Sequence, residues 1–317
     1  MSPTVAIRPA VSPDDLAALV DITGATTPEE PTSIDELRWA DRTYPGGARF
    51  LGELDGAVVG AATVGRIYVH GPDYPDLWAT LGVLPDARRQ GVGSALLDAV
   101  ARTAADRGKT GLQVRCRGDR AWSIAFLERR GFVELERQKA VRLGLTGRPA
   151  PSYAAPEGVT LTSLAARPDL VAAVHAVALE TFADIPGGDP MAVGDLAEFA
   201  ARDVDRPGIP ADAFMLAVET GTDRVAGYAS LQRLPGRPDV AWHDMTAVAR
   251  AWRGRGLATT LKLATIAWAI EHGLTALETG NDEANAPMRA VNARLGYEPL
   301  PDEIVLRGPL IGAMMVR

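Results

Sequence analysis

Residues 248–258 read VARAWRGRGLA, and residues 83–93 read VLPDARRQGVG. The offset of 165 residues then holds over a further fifty positions: Leu96 matches Leu261, Gly108 matches Gly273, Gly131–Phe132 matches Gly296–Tyr297, and Arg142 matches Arg307. A period this long exceeds the units of about 20–50 residues that build solenoids. It is the mark of a whole domain present twice. Each copy of the motif follows a strand-like run and opens an apolar-periodic helix (91–108 and 255–272).

The order of elements around the motif repeats as well. The first half reads as strand 5–10, helices 13–23 and 33–42, strands 48–54, 57–69 and 77–84, helix 91–108, strand 112–116, helix 122–130 and strand pieces 132–136 and 138–145. The second half reads as strand 159–164, helices 168–181 and 191–204, strands 214–219, 223–232 and 240–248, helix 255–272, strand 275–280, helix 285–295 and strands 297–300 and 303–310. Asp55-Gly56 is a hairpin signal, and Ser33 with Glu36 is a capping box. TGRPAPSYAAPEG (146–158) is rich in proline and glycine and reads as a linker. The expectation is an α/β (α+β) chain of two domains, 1–147 and 158–317, joined by a linker at 148–157. Each domain is a mixed, mostly antiparallel sheet flanked by helices.

The chain has 317 residues, a formal net charge of −7 and one cysteine, Cys116. An acidic chain is a poor binder of nucleic acid or anionic membranes. A lone cysteine forms no internal disulfide and suits a reducing, cytoplasmic setting. The N-terminus carries no signal-peptide pattern, and no run approaches a membrane span. The four histidines are scattered, so no metal site is expected.

The chemistry sits at the repeated turn. The first N–H groups of a helix lack intrahelical partners, and the macrodipole adds about half a positive charge there. Gly254 and Gly256 let an anion approach the backbone, with Arg253 and Arg255 beside them. Gly91, Gly93, Arg88 and Arg89 repeat the arrangement. Such a turn cradles phosphate, although it is neither a Rossmann nor a Walker motif. Arg88-Arg89-Gln90-Gly91-Val92-Gly93 and Arg253-Gly254-Arg255-Gly256-Leu257-Ala258 resemble the pyrophosphate turn of the GNAT N-acetyltransferase superfamily, in its tandem, actinobacterial form. The resemblance covers nearly the whole chain. It implies acetyl-CoA as the cofactor, held from Val83 and Val248 at the strand ends through the turns, with Asn285 as a further cofactor contact. It also implies a tyrosine at the Asn292 position to protonate the leaving thiolate, and here that residue is asparagine.

Matched positions favour the second half as the catalyst. Asn285 and Asn292 are matched by Arg120 and Leu127, and a gapless offset sets His243 and Asp244 against Trp78 and Ala79. An attacking amine must lose a proton, because only its neutral form is nucleophilic. Asp244, with His243 as understudy, is the expected base, and a structural hydrogen-bonding role for Asp244 stays open. Neighbours on a strand point oppositely, so the two do not face one side together. The Val248 N–H is the expected oxyanion donor. The Asn292 amide or water would meet the thiolate.

The function expected is direct acetyl transfer, in a ternary complex, to a primary amine of a small molecule: an antibiotic, an amino-acid-like compound or a thiol precursor. The acceptor pocket should draw on 181–210, around FADIPGGDP. The alternatives are a non-catalytic acetyl-CoA sensor and transfer of a different acyl group. The protein is expected as a monomer or homodimer without nucleic-acid or membrane partners.

Overall fold

The computed structural model describes residues 3–187, 189 and 191–310. The first half runs β1 (Val5–Pro9), α1 (Pro13–Thr26), α2 (Ile34–Thr43), β2 (Ala48–Leu54), β3 (Ala57–Gly65), β4 (Asp76–Val83), α3 (Val92–Asp106), β5 (Gly111–Arg117), α4 (Ala121–Glu128) and β6 (Val133–Gly144). The second runs β7 (Val159–Ser163), α5 (Val171–Thr181), α6 (Leu196–Phe199), β8 (Met215–Glu219), β9 (Val225–Leu234), β10 (Arg237–Val248), α7 (Leu257–Glu271), β11 (Ala276–Asp282), α8 (Ala286–Leu295), β12 (Glu298–Pro299) and β13 (Glu303–Pro309). No described helix is long and apolar enough to cross a membrane.

The chain divides into two units, one of residues 1–137 with 303–317 and the other of residues 138–302. Unit 1 has the sheet order β1-β2-β3-β4-β5-β13, antiparallel except for the parallel β4–β5 pair. Unit 2 repeats it as β7-β8-β9-β10-β11-β6, with β10–β11 the parallel pair. The expected boundaries at 147 and 158 therefore shift. Strand β13, the last described strand, completes the sheet of the first unit, and residues 138–144 complete that of the second.

The register explains why sequence does not reveal this. Arg142 lies opposite Glu278 in unit 2, and Arg307 opposite Gln113 in unit 1. These are equivalent positions of the repeat, so either strand fits either gap in the same register. The side chains then discriminate. Glu278, nearly buried, takes Arg142 and Arg237. Arg307 binds Asp76 at 2.6 Å and the Tyr74 hydroxyl.

In unit 1, Leu96, Leu97, Val100 and Ala104 of α3 pack on Leu77, Ala79, Leu112 and Leu306 of the sheet. In unit 2, α7 covers one face through Leu257, Leu261 and Ile266. Helix α5 covers the other through Val174, Val177 and Ala178, which meet Phe214, Tyr228 and Ala247. Two further expectations change. Strand β3 ends at Gly65, short of 69. The helix expected at 191–204 is one α-helical turn, α6, followed by a π-helical turn at Ala200–Val204, a distortion common near functional sites.

Candidate active site

The site in unit 2 starts from a parting of two strands. The β10–β11 ladder runs from Val240↔Ala276 to Trp242↔Glu278 and stops, while β10 continues to Val248. At the parting, the Thr279 hydroxyl donates to the His243 carbonyl at 2.8 Å. Beyond it the β11 side of β10 is open.

Strand β10 also carries a bulge there. Its register against β9 slips by one residue between His243↔Leu231 and Thr246↔Ala229, so Asp244 and Met245 together occupy one place in the strand. A bulge re-aims side chains. Met245 packs toward α5 with Phe199 and Tyr228. Asp244 is half-buried and interacts electrostatically with Arg202, Arg206, Asp203 and Tyr228. Burial pushes its carboxyl above the usual range, opposed by Arg206, its Met245 N–H bond and Arg202. Asp203 is pushed up to about 6, also by burial. It accepts a 2.8 Å hydrogen bond from Arg202.

His243 lies on the opposite face, toward α7. It is fully enclosed, with the Tyr297 hydroxyl 2.8 Å from Nδ1 and the Thr265 hydroxyl 3.1 Å from Nε2. Burial, with the charge of Lys262, holds its imidazole neutral and its pKa well below the usual value. The structure does not bring His243 together with Asp244.

At the end of β10, Ala249 N–H donates to Ala226 on β9 at 2.9 Å. Antiparallel pairing alternates, so the Val248 N–H, opposite Gly227, points away from β9 and into the parting. A 3-10 turn at Arg250–Trp252 follows. Gly254 (φ +74°) and Gly256 (φ +80°) are left-handed, and α7 begins at Leu257. A Cβ at either glycine would meet nothing within 4 Å, so the turn is open to an anion. Leu257 is buried beneath it and Ala258 half-buried. Arg255 lies over the Trp252 ring at 4.7 Å. Arg253 donates to the Val248 carbonyl at 3.1 Å and, with Arg250, to Asp184. Its charge is thus paired and its geometry closes the turn.

Asn285 caps α8, its side chain accepting from Met288 N–H at 3.3 Å. Asn292 is buried and donates to Asn281 at 2.7 Å, and its own Oδ1 has no partner. The Thr246 hydroxyl is likewise buried without a partner. Among the described residues no His, Cys, Asp and Glu group could hold a metal ion.

A helix N-terminus opening on a parted pair of strands, in each of two units, is matched by known proteins. The family described as Acetyltransferase (GNAT) matches residues 16–132 and 185–297.

The chain belongs to the GNAT acetyltransferase family.

It is an acyltransferase with two GNAT domains. It is 32% identical to a mycothiol acetyltransferase of Actinosynnema mirum over 256 residues, 80% of each chain. It is 27% identical to a mycothiol acetyltransferase of Rhodococcus erythropolis over 92% of this chain and 94% of that one. In fold it is similar to a tandem GNAT protein from the clavulanic acid biosynthesis pathway, with TM-score 0.76, 24% identity and coverage of 97% and 99%. A GCN5-related N-acetyltransferase from Sphaerobacter thermophilus gives TM-score 0.73 at 19% identity over 96% of both chains. Both family matches stop before the strands that cross between units.

The two GNAT units differ at the site. In unit 1, β3 and β4 pair without a break from Gly60↔Val83 to Gly65↔Trp78, so β4 has no bulge. The β4–β5 ladder runs one rung further, to Ala79↔Val114. The bulge also corrects the gapless comparison: before it, Trp242 matches Trp78 and His243 matches Ala79. Asp244 belongs to the inserted place and has no counterpart. Arg120, at the Asn285 position, donates to the Thr26 carbonyl and Glu29, while Arg115 pairs with Glu30 and Glu303. Leu127 and Cys116 are core residues.

The turn of unit 1 survives with changes. Arg88 donates to the Val83 carbonyl at 3.0 Å, as Arg253 does to Val248, and Gln90 donates to the Asp86 carbonyl. Arg89 is left-handed (φ +65°) where unit 2 has Gly254. Gly91 (φ +94°) caps α3, whose first residue, Val92, is buried. The place of a Cβ on Gly93 is 3.7 Å from Phe126. Of the FADIPGGDP stretch, Gly188 and Pro190 lie outside the described residues. Asp184 from it accepts from Arg250 and Arg253 at the glycine turn. Sequence reasoning missed the bulge, Asp203 and Lys262, because none has a spacing signature.

Proposed function

We propose that the protein is an acetyl-CoA-dependent N-acetyltransferase acting on a primary amine of a small molecule, with catalysis in unit 2. Acetyl-CoA supplies an activated acetyl thioester. The N–H groups at the start of α7, with Gly254, Arg255, Gly256, Leu257 and Ala258, would hold its pyrophosphate. Arg253 supports that turn, and Asn285 is the further contact. The unpartnered Thr246 hydroxyl and Asn292 Oδ1 fit a polar ligand in the parting.

Asp244 accepts the proton that the attacking amine sheds. A carboxyl raised by burial is a stronger base than an ordinary one, which suits it to this task. The Val248 N–H stabilises the oxyanion. His243, neutral and on the other face, positions rather than accepts. The observation that carries this reading is the bulge: it exists in β10, holds Asp244, and is missing from β4. Unit 1 keeps the turn but lacks the bulge and its carboxylate, so it serves as a scaffold or a binding turn. Among acceptors, the relatives named mycothiol acetyltransferase favour a thiol-precursor amine.

The test is acetylation of a panel of amines, including cysteinyl and amino-sugar compounds, with acetyl-CoA and longer acyl-CoAs as donors. Stoichiometric N-acetyl product and free CoA are expected. Acetyl-CoA binding with no product across the panel would point to the sensor instead, and preference for a longer donor would change the acyl group.

A further inference from the structure

In unit 1 the positions Ala79, Leu97, Val100 and Phe132 form part of one apolar core. Their equivalents in unit 2 are His243, Lys262, Thr265 and Tyr297. All four are buried, with Lys262 at 1% exposure. The second copy therefore has a polar cluster where the first has hydrocarbon. Thr265 and Tyr297 satisfy the two nitrogens of His243. Lys262 is left over. Its Nζ lies 5.5 Å from the centre of the Tyr297 ring, and burial is the sole influence on its amine, which is pushed down to about 7.

Every titratable group facing this amine is neutral. From β10 it faces the His243 imidazole. From the turn after α8 it faces the Tyr297 phenol, whose pKa is raised by burial. On α7 itself the Thr265 hydroxyl donates to the Lys262 backbone carbonyl at 2.9 Å. A buried amine without a carboxylate is costly, and such groups cluster at functional sites.

Its position is specific. His243 is the residue at which β10 parts from β11. Tyr297 N–H donates to the Asn292 carbonyl at 3.1 Å. Asn292 Oδ1 and Thr246 Oγ1 are buried without partners. Thr246 shares a strand face with Val248, two residues on, which packs on Leu257 and Leu261 of α7. Two unpartnered polar atoms and the Lys262 amine thus lie on the α7 side of the parting, opposite the side that holds Asp244. If the base serves the amine on one side, the leaving group departs on the other. Asn292 offers no acidic proton there.

We propose that Lys262 is the catalytic acid of the reaction, its ammonium protonating the sulfur that leaves the acetyl group. This rests on the function proposed above. As the amine nitrogen bonds to the acetyl carbon, the carbon–sulfur bond breaks with its electron pair on sulfur. Lys262 Nζ gives sulfur one proton, and Asp244 takes the proton shed by the amine. Solvent restores both groups between turnovers.

The test uses equilibrium binding, with the full chain, of CoA and of desulfo-CoA, which lacks the thiol, between pH 5.5 and 8.5. An ammonium facing sulfur favours the thiolate, so CoA binding sheds a proton wherever the free amine is already charged. CoA should therefore gain at least tenfold over desulfo-CoA as pH rises from 5.5 to about 7, and level off above. In Lys262→Met that gain should vanish while desulfo-CoA binding stays within about twofold. Parallel pH profiles for the two ligands in the wild-type protein overturn the role of Lys262 and leave the acetyl-CoA reading standing, whether or not the variant folds. Persistence of the gain in Lys262→Met also overturns it. No binding of either ligand overturns both proposals.

Discussion

Replacing Lys262 by methionine should stabilise the protein at neutral and acidic pH. The side chain is 1% exposed and its amine is pushed from 10.5 down to about 7 by burial alone. Each pH unit of that gap is worth about 1.4 kcal/mol, so the full cost of carrying the ammonium is on the order of 5 kcal/mol. The sign follows from proton uptake. Above about pH 10.5 both folded and unfolded chains hold a neutral amine, and the cost is absent. As pH falls, the unfolded chain binds a proton that the folded one does not, and stability drains away. Below about pH 7 both are charged and the loss is complete. Methionine keeps a linear apolar side chain against Tyr297 without the charge. Urea unfolding followed by tryptophan fluorescence, at pH 6, 8 and 10, should show the variant ahead by about 3–5 kcal/mol at pH 6. The advantage should shrink to about 1 kcal/mol or less at pH 10. A difference that stays constant across this range would refute the reasoning, because it would mean that no lysine titration is linked to folding.

Two other outcomes follow from the same geometry. Glu278→Ala should cost about 3 kcal/mol in unfolding experiments, because it strands Arg142 and Arg237, both drawn to a nearly buried carboxylate. Glutamate at Gly256 puts a negative side chain and a strained left-handed residue into the turn proposed to hold pyrophosphate. Calorimetric titration with acetyl-CoA should then lose the binding event of unit 2, and turnover should fall at least tenfold further than with Gly91→Glu.

Much of this molecule was legible in its sequence. The doubled turn gave the two GNAT domains, since glycine spacing at a helix start is a local property. Comparing matched positions singled out Asp244, whose carboxyl interacts electrostatically with Asp203 and Tyr228. What stayed hidden is non-local. The return of β13 to unit 1 is invisible because Arg142 and Arg307 sit in equivalent strands of identical register. The bulge is invisible because one added residue in β10 is absorbed by the preceding loop, leaving a gapless match that pairs Asp244 with Ala79. Lys262 reads as one more polar residue on a long helix, and only the packing of Tyr297 and His243 against it shows that it is buried.

In the mechanism proposed, acetyl transfer runs on Asp244 at the β10 bulge. Asp244→Asn keeps the shape of the side chain and removes the base. Steady-state acetylation of the identified amine should fall about 10²–10⁴-fold in kcat/KM, with acetyl-CoA affinity within about twofold of the parent. Turnover within about threefold of the parent would contradict the account.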